Sequence, residues 1–186
     1  MATVVVLNGT SSSGKTTLAR AFQSVAPTVF LNFSIDNILS ALPVTAIQSI
    51  TSGADISNIG IPELVRAYYA CVRQLLDLGY DLVIDHAITA RYHVEHLVAA
   101  VDSHRVIMVG LESPAEVLVE RERARADRRP GMATAQLPRI HSWLIYDLTI
   151  DTSLVSPHDG ARRIAEAIEA GTCDAFERTL AKLRAS

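Results

Sequence analysis

Gly9-Thr10-Ser11-Ser12-Ser13-Gly14-Lys15-Thr16 is the stretch on which the reading of this chain turns. It fits G-x-x-x-x-G-K-[ST], follows the apolar run Val4–Leu7 and opens a helical pattern. That strand–loop–helix setting gives the spacing a physical meaning. A turn of small residues lets successive backbone N–H groups converge on phosphate oxygens, and the helix start adds the positive end of its dipole. Gly9, Thr10, Ser11, Ser12, Ser13, Gly14, Lys15, Thr16 and the adjoining Thr17 are therefore the expected nucleotide-binding residues. Lys15 is expected at the β and γ phosphates and the Thr16 hydroxyl on magnesium, so the cofactors expected are ATP and Mg2+.

Outward from this loop, short apolar runs alternate with segments of helical period. The strands expected are Thr3–Asn8, Thr28–Phe33, Asp81–Asp85, Arg105–Gly110 and Tyr146–Asp151. Their consecutive apolar positions suit strands covered on both faces. The helices expected are Gly14–Ser24, Pro62–Leu78, Arg91–Ala100, Pro114–Arg128 and His158–Ala170, with a further one near the C-terminus. Gly79 can stop the second of these, and Ser113-Pro114-Ala115-Glu116 has the spacing of a capping box. Gln48–Asn58 reads as a polar loop. The fold class expected is α/β, three layers about a five-stranded parallel sheet, in one domain over 1–186.

The totals narrow the function. At 186 residues, 49% apolar and 20% charged, the chain can bury a core without staples. A net charge of -3 provides no diffuse basic field for nucleic acid or anionic membrane. No apolar stretch approaches a membrane span, and no secretory signal opens the chain. Two separated cysteines, Cys71 and Cys173, suit a reducing compartment, so a cytoplasmic location is expected. The partner expected is a small hydroxylated molecule, with a homo-oligomer left open.

Four further places carry chemistry. Asp85 ends an apolar run and should emerge beside the loop, either holding magnesium or capping the next turn. At Asp36, after the second strand, either the carboxylate orients an acceptor hydroxyl and takes its proton, or Ser34 or Asp36 only caps a short helix at Asn37–Leu42. Arg121, Arg125 and Arg128 share one face of a continued helix. They form either an arginine-bearing lid over a triphosphate, at about 120–136, or a solvated face paired with Glu120, Glu122 and Asp127. His86 follows Asp85 and either lines the acceptor pocket or packs there. His93 and His96 lie i, i+3 without a third metal ligand.

Together these residues resemble the chloramphenicol 3-O-phosphotransferase family. The resemblance rests on the opening Val6–Thr16, the Ser34–Asp36 turn, the Asp81–Asp85 strand, Arg125-x-x-Arg128-x-x-Gly131-Met132, and His141…Tyr146-Asp147…Asp151-Thr152. It runs to about Ala170. It implies a shikimate-kinase-like P-loop fold in which ATP phosphorylates a hydroxyl of an antibiotic. It also implies Asp36 as the general base, with Lys15, Arg125 and Arg128 acting on the transferring group. Arg121, Asp151 and Thr152 would lie beside the nucleotide, with Asp36, Asn37 and His86 on the acceptor side. The chain departs from the family at His86, where a second acid is usual, and through Asn37–Tyr69.

Two other functions fit the same loop. One is a metabolic kinase acting on shikimate, gluconate or a nucleotide. It would need basic residues in the pocket, and Asn37–Asn58 contains none. The other is a nucleotide-dependent switch without an acceptor.

Overall fold

The structure, a computed structural model, describes residues 1–52, 54–125 and 131–185. Its sheet is built from β1 (Thr3–Asn8), β2 (Phe30–Ser34), β3 (Asp81–Asp85), β4 (Arg105–Glu112) and β5 (Leu148–Asp151). All pairings are parallel, in the order β2-β3-β1-β4-β5. The first and third strands match the sequence reading residue for residue. β4 runs two residues further, β2 is displaced toward Ser34, and β5 starts at Leu148 because Tyr146 and Asp147 serve as braces. Tyr146 packs its ring against Gly110, where an added Cβ would fall 2.8 Å from it, and Asp147 accepts the Met108, Asp174 and Ala175 N–H groups.

Side-chain alternation along β1 divides the core. Val4 and Val6 face a cluster with Tyr68, Val72 and Leu76 of α4 (Ile61–Asp77) and Val94 and Leu97 of α5 (Arg91–Val101). Val5 and Leu7 face Leu18 and Phe22 of α1 (Lys15–Val25) and Ile164 of α8 (Pro157–Ala170). The result is three layers. Because both faces of β1 are apolar, alternation alone does not set its register. Asn8 does that. It is fully buried, with Nδ2 donating to Ile140 O (2.7 Å) and Tyr146 Oη (2.6 Å) and Oδ1 accepting from Ile88 N (2.8 Å). A one-residue slip would strand these groups at about 1–3 kcal/mol each.

Three sequence expectations need correction. Gln48–Asn58 is not all loop, since α3 (Val44–Ser52) takes its first part. Its serine and threonine hydroxyls donate back to carbonyls three or four residues earlier, so polar residues that signal a loop are absorbed into the helix. The helix expected over Pro114–Arg128 is α6 (Ala115–Arg123), so Arg125 lies beyond it and does not share a helical face with Arg121. The Ser113 capping box does not form. The helix starts after Pro114 without a side-chain cap, because the Ser113 hydroxyl pairs with Thr152 Oγ1 at 2.7 Å. The remaining helices are α2 (Ile35–Leu39), α7 (Met132–Gln136) and α9 (Ala175–Ala185). Arg128, Arg129 and Asp127 lie outside the described residues.

Candidate active site

At the carboxyl edge of β1 the chain turns through a left-handed Ser12 (φ 61°) and Gly14 (φ 91°) into α1. Gly9 is required by its surroundings, since a Cβ there would sit 2.6 Å from Ser13 Oγ and 2.9 Å from the Leu111 carbonyl oxygen. Lys15 Nζ donates back to the Gly9 and Thr10 carbonyls (2.9 and 2.8 Å), closing the loop into a cradle. The buried hydroxyls of Ser11, Ser12 and Ser13 have no hydrogen-bond partner among the described residues. Such a concentration of orphaned donors beside a helix N-terminus fits an anion seat.

Register brings the next carboxylate in. β3 pairs with β1 so that Asp85 stands opposite Leu7, just before the cradle. Asp85 is 5% exposed. Its Oδ2 accepts from Thr16 Oγ1 at 2.8 Å, and its Oδ1 lies 3.7 Å from Lys15 Nζ. A hydroxyl and a carboxylate converging in this way fit Mg2+, a hard cation that keeps water and phosphate ligands as well. Among the described residues no group of three His, Cys, Asp or Glu forms a protein-only metal cage.

Two chambers flank the cradle and share Ser12, Gly14, Thr17 and Arg125. The first, about 340 Å³, is walled by Arg121, Thr152 and Pro157. Arg121 grips the β5 exit with both Nη atoms, donating to Thr152 Oγ1 (2.9 Å) and Thr152 O (2.8 Å), and Thr152 Oγ1 in turn donates to Ser13 O (2.9 Å). Arg121 therefore braces this wall. Asp151 turns the other way, accepting from Ser153 N and Oγ, which holds its carboxyl below the usual range.

The second chamber, about 350 Å³, lies on the β2–β3 side and holds Lys15, Thr16, Asp36, Asp85 and His86 among apolar walls such as Leu39, Ile50 and Ile56. Asp36 enters it from the first turn of α2, whose N-cap is Ser34. Asn37 completes that cap, its Oδ1 accepting from Ser34 N at 2.7 Å. The cap is thus made by Ser34 and Asn37, as one of the two alternatives had it for Ser34, while the Asp36 carboxylate lines the cavity. His86 is 6% exposed, and its Nδ1 is 2.8 Å from the Tyr69 hydroxyl. Burial, then His93 and Lys15, lower the His86 pKa well below the usual value. Burial raises the Tyr69 pKa.

The sequence reading missed several participants. Glu122, named there only in the solvated-face alternative, is 4% exposed and accepts the N–H groups of Gly131 (2.6 Å) and Ala133 (2.9 Å) at the start of α7. Gln136, one turn on, accepts from Ser11 N at 2.6 Å, so α7 is tied to both α6 and the cradle. Asn8 and Tyr69 were also passed over. An adjacent Tyr68-Tyr69 pair on an otherwise apolar helix face was the available signal, because buried hydroxyls need partners.

A family model described as chloramphenicol phosphotransferase-like protein matches residues 2–169. The chain is 29% identical over 185 residues to a Mycobacterium tuberculosis protein whose name proposes an O-phosphotransferase, covering 90% of this chain and 82% of that one. In fold it resembles a sugar kinase from Janibacter sp. HTCC2649, with a TM-score of 0.71 at 21% identity over 91% of this chain and 95% of that one. It also resembles the Mycobacterium tuberculosis APS kinase solved with AMPPNP and APS. There the TM-score is 0.65 at 14% identity, over 90% and 98% of the two chains. No helix among the described residues is long and apolar enough to cross a membrane.

Proposed function

From the chain's membership in the chloramphenicol phosphotransferase-like family, we propose that it transfers the γ-phosphoryl group of ATP to a hydroxyl of a small, uncharged, largely apolar molecule, an antibiotic such as chloramphenicol or a nucleoside antibiotic. The observation that carries this reading is the placement of Asp36 in the same cavity as Lys15, Thr16 and Asp85. A carboxylate thereby lines the cavity in which a phosphate end and an acceptor would meet.

The fit of the cradle to a nucleotide rests on its orphaned hydroxyls and the Thr16–Asp85 convergence. Bound Mg-ATP would supply the phosphoryl group, with charge on its oxygens partly neutralised by the cation that Thr16 and Asp85 would hold. Backbone amides of the cradle and Lys15 position the phosphates. Asp36 orients the acceptor hydroxyl and accepts its proton as the new O–P bond forms and the bond to the ADP oxygen breaks. Arg125 borders both chambers, where a guanidinium stabilises charge on the group in transit. The lid read at about 120–136 includes Arg128, assigned the same task but outside the described residues.

The described walls support an uncharged acceptor. Among the described residues lining this cavity, the fixed cations are Lys15 and Arg125, both at the cradle end. That weighs against the metabolic-kinase reading with an anionic acceptor. The test is mass spectrometry of products after incubation with Mg-ATP and hydroxylated antibiotics, chloramphenicol and nucleosides included. A product heavier by one phosphoryl group is expected, with the rate reduced about 10²- to 10⁴-fold in Asp36→Asn. Tight Mg-ATP binding with no phosphorylated product from any acceptor would favour the nucleotide switch.

A further inference from the structure

His86 occupies the wall of the acceptor chamber one residue after Asp85. Its ring is fixed on several sides. The His93 ring centroid lies 4.7 Å away, Tyr68 meets it edge-on at 5.8 Å, and Tyr69 is tilted over it at 5.6 Å. The Tyr69 hydroxyl is 2.8 Å from His86 Nδ1, and no other hydrogen bond to that hydroxyl occurs among the described residues. A phenol has one proton to give. If Nδ1 carried the imidazole proton, the buried Tyr69 O–H would point at no acceptor. The arrangement that satisfies both groups has Tyr69 donating to Nδ1 and the proton of the imidazole on Nε2. Nε2 has no protein partner among the described residues, and it is not one of the fully buried unpartnered atoms. It therefore remains reachable from the chamber.

Building on the phosphotransfer reading, we infer that His86 is a specificity-determining residue, with Tyr69 as its positioning residue. Held by Tyr69, His86 presents Nε2–H as a fixed donor, selecting uncharged acceptors that carry a carbonyl, ether or nitro oxygen besides the hydroxyl to be phosphorylated. A molecule lacking that oxygen leaves a desolvated donor unpaired, which discriminates far more strongly than lost apolar contact. The apolar side chains of Ile35, Leu39, Ile50, Ile56 and Val65 cover the rest of such an acceptor. Lys15 and Asp36 line the same chamber, toward the reacting end.

The test uses the whole chain, labelled with 15N-histidine, and chloramphenicol as the probe because it carries amide and nitro oxygens without charge. Long-range 1H–15N spectra should show His86 protonated on Nε2, with that signal moving when chloramphenicol is added. In kinetics with the same acceptor, His86→Phe should raise KM about 10- to 100-fold with kcat changed much less. His86→Gln, which returns an N–H donor near the Nε2 position, should recover most of the loss. Tyr69→Phe should give a smaller rise and mix the two imidazole tautomers. A proton on Nδ1 in the unmodified chain, or an unchanged KM in His86→Phe, overturns the inference while phosphotransfer stands. If the unmodified chain transfers nothing to chloramphenicol, it is the phosphotransfer reading that fails for this acceptor. The imidazole spectrum then decides separately: an Nε2 signal that moves supports the inference, and one that stays still overturns it.

Discussion

Thr16 donates its hydroxyl to Asp85 Oδ2 at 2.8 Å, joining the first turn of α1 to the end of β3. The two residues are 69 positions apart, and the parallel register of β3 on β1 is what makes them neighbours. Asp85→Asn keeps the shape and an acceptor for Thr16 but removes the charge a divalent cation needs. The expected result is a fall in kcat/KM for ATP of about 10²-fold, with a raised magnesium requirement in initial-rate measurements. A loss below threefold would take Asp85 out of the magnesium role.

Glu122 ties the last turn of α6 to the first amides of α7. In Glu122→Gln one of the two N–H groups meets an NH2 rather than an oxygen, and the charge-assisted bonds are lost. Urea denaturation should show a loss of about 2 kcal/mol. An unchanged midpoint would mean that the tie contributes nothing to the folded state.

His93 supplies a pH dependence with a defined sign. Burial, and secondarily His96, push its pKa from 6.5 down to about 4. Tyr92 and His86 face the same ring, and Thr89 N donates to its Nδ1 at 3.3 Å. Between those two values the unfolded chain binds the proton and the folded one does not. Stability is therefore full above about pH 6.5 and is lost progressively as pH falls toward 4. Thermal unfolding across that window should have a shallower pH slope in His93→Gln than in the unmodified chain. Equal slopes would show that His93 is not the group responsible.

What the sequence reveals and what it hides follow physical lines. The cradle and strands were legible because their signals are local: glycines and small residues where a backbone must turn, and apolar runs where both faces are covered. Asp36 and Asp85 could be placed because strand ends in a parallel sheet collect at one edge. Glu122 looked like one more charge in an arginine-rich run, and nothing nearby announces that two amides nine and eleven residues away will claim it. The extent of α6 was overdrawn for the same reason, since the pattern continues past the point where that carboxylate turns inward. In α3, hydroxyl groups that usually compete with a helix were accommodated by it. Tyr69 gains meaning only once α4 is laid against β3.

The strand order has a consequence for how the chain comes into being. β1 is made before both of its partners, Asp81–Asp85 on one side and Arg105–Glu112 on the other. At synthesis rates of about 5–20 residues per second, Val4–Leu7 waits on the order of 5–20 s before its second edge is covered. During that interval four consecutive apolar side chains are open to chaperones or to other nascent chains. The wall behind Gly9 is the Leu111 carbonyl, so ribosome-bound fragments stopping short of that point should not retain nucleotide. The cradle is translated about a hundred residues ahead of the carbonyl that walls it, and becomes usable only after that strand has followed.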